Sequence, residues 1–274
     1  MSKPSVILLG SKPGATVALE LMLQRGWQVR AVVPSGDNSH DFIAGQRVGE
    51  LAAKCGIPLM KQNELPGEPV DFVISYMFRY LVKRHTLQLA KRAALNFHAG
   101  PLPEYGGWAF YNLAILENAP DYGCTCHPMD EVFDTGPILQ VNRFAIEVEQ
   151  ETAWSLERKA QEEMIRLFVD FLNLAESGRD LPCVEQDRSQ MRYLDKASFE
   201  KLKKIPANAD DESIQRHARA FFFPPYECAY MLVGDAKVEV LPRIAKQMLA
   251  ERLHHDDLDR LRDVAQSYAG RNKR

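Results

Sequence analysis

The sequence predicts an α/β fold: a Rossmann-like, mostly parallel sheet with helices on both faces, followed by a small C-terminal α+β extension. Three observations lead there. Through the first half of the chain, short apolar runs alternate with stretches whose apolar residues recur at helical spacing, the pattern of repeated strand–helix units. The apolar runs are continuous, as strands buried on both faces must be. Around residues 178–195 the composition turns polar, and the remaining residues read as a helix, a pair of strands and a charged helical tail. This boundary divides the chain into residues 1–180 and residues 181–274.

Residues 5–9 read as a buried strand closed by Gly10, and residues 15–25 as a helix whose apolar spacing runs through Val17, Leu19, Leu21, Met22 and Leu23. Residues 27–33 form a second strand and 34–41 a polar loop. A helix over 42–54 stops at Gly56. Residues 71–76 are a buried strand, 83–91 a short helix and 94–97 the next strand. A Pro/Gly-rich loop then covers 99–107, a helix 108–117, and two strands 124–129 and 138–146. Residues 152–174 form a long amphipathic helix with Trp154, Leu156, Met164, Leu167, Phe168, Phe171 and Leu172 on its apolar face. In the extension, a helix over 211–220 precedes strands at 229–233 and 237–241 and a helical tail from Ala245.

The 274 residues suffice for a sizeable core. With 34 basic and 37 acidic side chains and a net charge of −3, the chain lacks the basic footprint of a nucleic-acid binder. No apolar run approaches the ~18 residues of a membrane span, and the short apolar run after Met1 lacks the layout of a signal peptide. Five cysteines without framework spacing point to a reducing cytoplasm.

Asn96 and His98 lie two apart at the end of the 94–97 strand, so both project to one side, where open α/β sheets place their sites. An isolated histidine would read as a hydrogen-bonded core residue. Here it precedes a Gly/Pro loop and shares a face with an amide. Downstream, Met129 to Gly136 (Met-Asp-Glu-Val-Phe-Asp-Thr-Gly) supplies three carboxylates, Asp130, Glu131 and Asp134, in one Gly-terminated turn. An imidazole can take a proton from an amine, a carboxylate can orient it and stabilise its cation, and an amide N–H can hold an oxyanion. These are the parts of acyl transfer to nitrogen without a nucleophilic Ser or Cys.

The same residues resemble the signature of formyltransferases that use N10-formyltetrahydrofolate. Its elements are Asn-x-His, a Leu-Pro-x-Tyr-x-Gly loop (Leu102 to Gly107) and Met-Asp-x-x-x-Asp-Thr-Gly, with 38 positions between Asn96 and Asp134. The resemblance covers roughly residues 1–180. It implies that Asn96 holds the formyl oxygen, His98 handles the proton, and Asp134, the acid before Thr-Gly, supports His98. It also implies a pterin pocket with Phe78, Arg79 and Leu81 on one side and Asp130, Glu131 and Val132 on the other. The fainter Phe222-Phe223-Pro224-Pro225-Tyr226 echo and the chain length resemble members that formylate nucleotide-linked amino sugars for surface polysaccharides such as lipopolysaccharide. Formylation of another small amine and hydrolysis of formyltetrahydrofolate remain the alternatives.

The other motifs carry less. Gly10 to Gly14 lacks the third glycine of a dinucleotide fingerprint and any Walker loop. Its helix N-terminus and Lys12 could take a substrate phosphate, or form only a tight turn. Trp108 could stack on a base or sugar, or be a buried helix-start residue. Cys124 and Cys126 share one strand face with His127 on the other, and no second zinc-type pair occurs downstream, so no metal is expected. The strand pair after residue 228 would suit a homodimer contact, since short sheets with exposed edges invite pairing.

Overall fold

The structure, a computed structural model, describes residues 3–35, 47–107, 110–252 and 257–271. β1 (Ser5–Gly10), α1 (Pro13–Gln24), β2 (Gln28–Val33), α2 (Val48–Lys54) and β3 (Val70–Tyr76) come first. Next are α3 (Arg84–Leu87), β4 (Ala90–His98), the two-residue β5 (Gly106–Gly107) and α4 (Phe110–Leu116). β6 (Asp121–Pro128), β7 (Gln140–Ala145) and the long α5 (Ala153–Glu176) complete this part. Pro13 opens α1, where its missing N–H costs nothing. Thr152 caps α5 reciprocally: its hydroxyl accepts from the Ser155 N–H at 3.1 Å, and the Ser155 hydroxyl accepts from the Thr152 N–H at 2.9 Å.

The six-stranded sheet has the order β2-β1-β3-β4-β6-β7. The first four strands run parallel, β6 adds antiparallel to the β4 edge, and β7 pairs antiparallel with β6. The expected mostly parallel Rossmann-like sheet is therefore present. One expected element is corrected. The helix read over 83–91 ends at Leu87, and β4 starts at Ala90, four residues before the expected strand. The Leu89 carbonyl accepts from the Val70 N–H at 2.8 Å, which pulls the chain into register with β3 before the helix can continue. Residues 42–46 of the expected second helix lie outside the described residues.

The larger core lies between the sheet and helices α1 and α5. Phe97 of β4 meets Phe168 and Phe171 of α5 at ring centroid separations of 5.0 and 5.6 Å, and Tyr76 stacks on Phe97 at 5.8 Å. Offset and edge-on aromatic pairs like these add to simple burial. Phe168→Ala should therefore cost about 3–5 kcal/mol of stability, read as a lower urea midpoint with an unchanged slope. A wild-type midpoint would mean that this cluster does not hold α5. A smaller apolar cluster, including Ile7, Leu9 and Val73, covers the opposite face.

Beyond α5, the two-residue β8 (Tyr193–Leu194) pairs in parallel with β5. α6 (Lys196–Leu202), α7 (Asp211–Ala220), the antiparallel pair β9 (Tyr230–Val233) and β10 (Ala236–Glu239), α8 (Ala245–Arg252) and α9 (Asp257–Arg271) come after it. Phe221 and Phe222 are buried, Phe222 packing edge-on against Trp154 at 6.0 Å, so the Phe-Pro-Pro segment is a packing hinge. α9 returns to the first part of the chain. Leu258, Leu261 and Ala265 enter the larger core, Arg262 pairs with Glu20 at 2.7 Å, and the Tyr268 hydroxyl donates to Asp170 at 3.1 Å.

Candidate active site

Sheet register assembles the site. In the β4–β6 pair, Asn96 lies opposite His127 and His98 opposite Thr125, while Phe97 lies opposite Cys126. Strand alternation sends Phe97, Cys124 and Cys126 into the core and turns the polar residues to the other face. The parallel neighbour of Asn96 on β3 is Ser75, whose hydroxyl donates to Asn96 Oδ1 at 2.6 Å. That bond fixes the amide, and Asn96 Nδ2 faces His127 Nε2 at 3.2 Å and Asp134 Oδ1 at 3.4 Å. The weaker contact to Asp134 is the one an incoming oxygen could replace.

His98 is buried, and its Nε2 lies 2.7 Å from the Tyr105 carbonyl oxygen. A carbonyl only accepts, so Nε2 carries the hydrogen, and in the neutral ring Nδ1 is left with a free lone pair. Nδ1 stands 3.7 Å from Asp134 Oδ1. The tautomer is thus held by the Tyr105 carbonyl, and Asp134 stands where it can stabilise the cation formed when Nδ1 takes a proton. Two tasks that the motif alone assigns jointly to Asp134 are in fact divided between two groups.

The loop after β4 is shaped around this bond. A side chain at Gly100 would place its Cβ 2.8 Å from His98 Nε2 and 2.7 Å from the Tyr105 oxygen. The Thr125 hydroxyl donates to the Gly100 carbonyl at 2.8 Å and accepts from the Leu102 N–H at 2.9 Å, so β6 pins both ends of the turn.

Asp134 is buried at the end of the 130–135 turn with φ of 58°, a left-handed conformation that Asp tolerates better than most residues. Its Oδ2 accepts from the Gly107 N–H at 3.0 Å, and its carbonyl accepts from Gln186 Nε2 at 2.9 Å. Burial pushes its carboxyl upward. The adjacent His98 imidazole, with His127 and the Gly107 N–H, outweighs that and holds the group well below the usual carboxylate range. Asp134 is therefore an anion throughout the working pH range. The Asp130 carboxylate is used locally, accepting from the Val132 N–H and the Thr135 hydroxyl, each at 2.8 Å, to close the turn.

The loops after β3 and β6 flank this group. Phe78 and Met129 pack against the same small core, and Arg84 joins Glu131 across the gap at 3.1 Å. Arg79 and Glu131 are exposed. Leu81 (41%) and Val132 (62%), together with Tyr80 (50%) and Phe133 (41%), leave large apolar surfaces in water on either side. Exposed apolar surface rimmed by polar groups is a common feature of ligand sites. Lys12 stands instead in an ion pair with the buried Glu157 at 3.2 Å, above the Phe223 ring. Trp108 lies outside the described residues.

Three contributors are not singled out by the sequence motifs: Ser75, His127 and Gln186. His127 is signalled only by alternation, since it faces away from Cys124 and Cys126. Ser75 and Gln186 depend on register and on a contact 52 residues away in sequence, and no local pattern announces them.

An amide, an imidazole and an ionised carboxylate thus meet at the carboxyl end of an open sheet, an arrangement with the chemistry to support acyl transfer without a covalent nucleophile. Residues 59–172 match the formyl transferase family model. The chain is 34% identical over 175 residues to the GDP-perosamine N-formyltransferases of Brucella melitensis and Brucella abortus, a match covering 64% of this chain and 65% of those proteins. The matched part thus spans slightly less than two thirds of those relatives. Among solved structures, a 4-N formyltransferase from Francisella tularensis superposes with a TM-score of 0.70 at 18% identity, covering 88% of this chain and 98% of that one. An N-formyltransferase from Helicobacter canadensis, solved with folinic acid and dTDP-3-aminofucose, gives 0.68 at 20% identity and covers 85% of each chain. At these identities the structural likeness establishes the fold.

Proposed function

We propose that this protein transfers the formyl group of N10-formyltetrahydrofolate to the amine of a nucleotide-linked amino sugar, giving an N-formyl sugar for a surface polysaccharide. The observation that carries this reading is the meeting of Asn96, His98 and Asp134 beside an apolar cleft, inside a segment that matches the formyl transferase family. The sugar acceptor is favoured by the identity to the GDP-perosamine enzymes. Residues 1–180 act as the catalytic unit and 181–274 as an extension. The enzyme works in the cytoplasm, without nucleic acid or a metal. Among the described residues, no helix is long and apolar enough to cross a membrane.

In this reading the neutral amine attacks the formyl carbon. Asn96 Nδ2 donates to the oxygen as the carbon becomes tetrahedral. His98 Nδ1 takes the amine proton, its cation facing Asp134, and returns a proton to N10 as the carbon–N10 bond breaks. Tetrahydrofolate and the N-formyl amine leave. The pterin occupies the cleft between Phe78, Arg79 and Leu81 on one side and Asp130, Glu131 and Val132 on the other. Lys12 would have to exchange Glu157 for a substrate phosphate, and Trp108 lies next to the pocket in sequence.

The direct test is mass spectrometry of a panel of nucleotide-linked amino sugars incubated with protein and donor. One formyl group gained on one sugar is expected. Formate without any N-formyl sugar would mean hydrolysis, and formylation of a different small amine would move the acceptor assignment.

The same reading includes a homodimer. Leu232 (48%) and Val233 (65%) of β9 and Val238 (46%) of β10 expose apolar surface on a two-stranded sheet whose β9 edge is bridged by residues 203–205 at Tyr230. Replacing Leu232 and Val238 with glutamate should halve the mass in solution measured by light scattering. An unchanged mass would place any dimer contact elsewhere.

A further inference from the structure

The family match ends at residue 172, yet the carbonyl that sets the His98 tautomer is held from beyond it. Residues 184–194 form a strap anchored to the site at both ends. At one end Val184 bridges Ile138 through backbone hydrogen bonds of 2.7 and 2.8 Å, and the buried Gln186 donates to the Asp134 and Gly136 carbonyls at 2.9 and 2.6 Å. At the other end β8 pairs with β5, Tyr193 opposite Gly106 and Leu194 opposite Gly107. Arg192 stands between these anchors. Its Nε donates to the Glu104 carbonyl at 3.2 Å, and its guanidinium lies 4.7 Å from the centre of the Tyr105 ring. It also pairs with Glu117, which accepts from the Tyr105 hydroxyl at 3.2 Å. Arg192 therefore holds the peptide before Tyr105 and covers its ring, while the β5–β8 pairing holds the residue after it. Within the loop, the Tyr105 N–H donates to the Pro101 carbonyl at 3.0 Å. Arg143 of β7 reaches the same corner through the Glu104 carboxylate, at the end of a side chain, and leaves the peptide to Arg192.

We propose that Arg192 is a positioning residue for the transfer reaction: it fixes the Glu104–Tyr105 peptide so that the Tyr105 carbonyl keeps the His98 hydrogen on Nε2 and the lone pair on Nδ1. This deepens the acyl-transfer reading and rests on it. The restraint matters because a second acceptor competes for that hydrogen. Asp134 Oδ1 stands 3.7 Å from Nδ1 and would accept from it if Nδ1 carried the hydrogen. Once the Tyr105 carbonyl is free to turn away, Nε2 loses its acceptor. The hydrogen it gives up to water is regained at Nδ1, facing the carboxylate. In that form the nitrogen assigned to take the amine proton is already occupied. The extension thus contributes to the chemistry: a contact made by residue 192 decides which nitrogen of residue 98 is free.

Nitrogen-15 NMR of protein labelled at histidine reads the tautomer without any substrate, because protonated and bare ring nitrogens resonate far apart. The signal lost in His98→Ala identifies His98 among the seven histidines. At a pH where the ring is neutral, the wild-type protein should show the Nε2–H form alone. Arg192→Met removes charge and donor together, and Arg192→Lys keeps a charge for Glu117 but loses the Nε donor. Each should put a sizeable share of His98 in the Nδ1–H form, with tetrahydrofolate affinity by calorimetry unchanged. Each should also lower kcat for the amino sugar found by the panel about tenfold, less than the ~100-fold of a full 1 Å displacement. Arg192 is exposed, so both variants should fold; if Arg192→Met does not, Arg192→Lys carries the test. A wild-type ring pattern in a folded variant overturns the proposal, as does a loss of tetrahydrofolate binding that accompanies the tautomer change, which would mean general collapse of the site. If the wild-type protein formylates no amine, the transfer reading fails, and the NMR result still decides whether Arg192 governs His98.

Discussion

His98→Ala is expected to lower turnover by about 10²–10⁴-fold, the usual worth of a positioned acid–base group, while tetrahydrofolate binding stays near wild type. The geometry explains why binding survives. His98 is buried with its Nε2–H committed to the Tyr105 carbonyl, so it contributes little surface to the cleft formed by the loops after β3 and β6. What is lost is the free Nδ1 and the cation it forms 3.7 Å from Asp134. A His98→Ala enzyme with a near-normal rate would end this mechanism. Asp134→Asn extends the test to pH. The Asp134 carboxyl is depressed in the folded protein, so the stability it contributes is fully present above its ordinary value of 3.8. That contribution drains away as pH falls through the depressed folded value. The acid limb of the activity profile therefore does not report protonation of Asp134, and the substitution should lower the plateau, because the anion that faces the His98 cation is gone.

Gly100→Ala should have the second-largest effect, a loss of about 10²-fold, the scale expected when a catalytic group is displaced by ~1 Å. The added methyl would sit 2.8 Å from His98 Nε2 and 2.7 Å from the Tyr105 oxygen, inside the bond that sets the tautomer. Neither neighbour can give way cheaply. One is backbone, and the other is a ring enclosed by Phe110 at 4.8 Å. The diagnostic is a fall in kcat with little change in the KM for the folate, because the apolar cleft lies on other loops. A variant with wild-type kcat would show that the Tyr105 contact does not govern the imidazole.

Most of the sheet was legible because burial on both faces leaves a continuous apolar run, and each strand–helix alternation was visible as a change of period. Asn96 and His98 were legible for the same reason: a two-residue spacing at a strand end can only mean one face. The division of labour around His98 was not. It depends on Tyr105 returning to His98 across a seven-residue loop, on the Ser75–Asn96 register between parallel strands, and on a left-handed Asp134. The start of β4 differs from the expectation because residues 88–91, Gln-Leu-Ala-Lys, are all good helix formers, and it is pairing with Val70 that starts the strand at Ala90.

The docking of α9 onto α1 and α5 has a consequence for how the chain is made. Leu258, Leu261 and Ala265 close an apolar surface built from helices synthesised much earlier. At typical elongation rates α9 leaves the ribosome roughly 10–50 s after α1. During that interval the growing chain carries an open greasy seam where Glu20 and Asp170 wait for Arg262 and Tyr268. Nascent chains stalled before residue 257 should therefore recruit chaperones that release the protein once α9 is out.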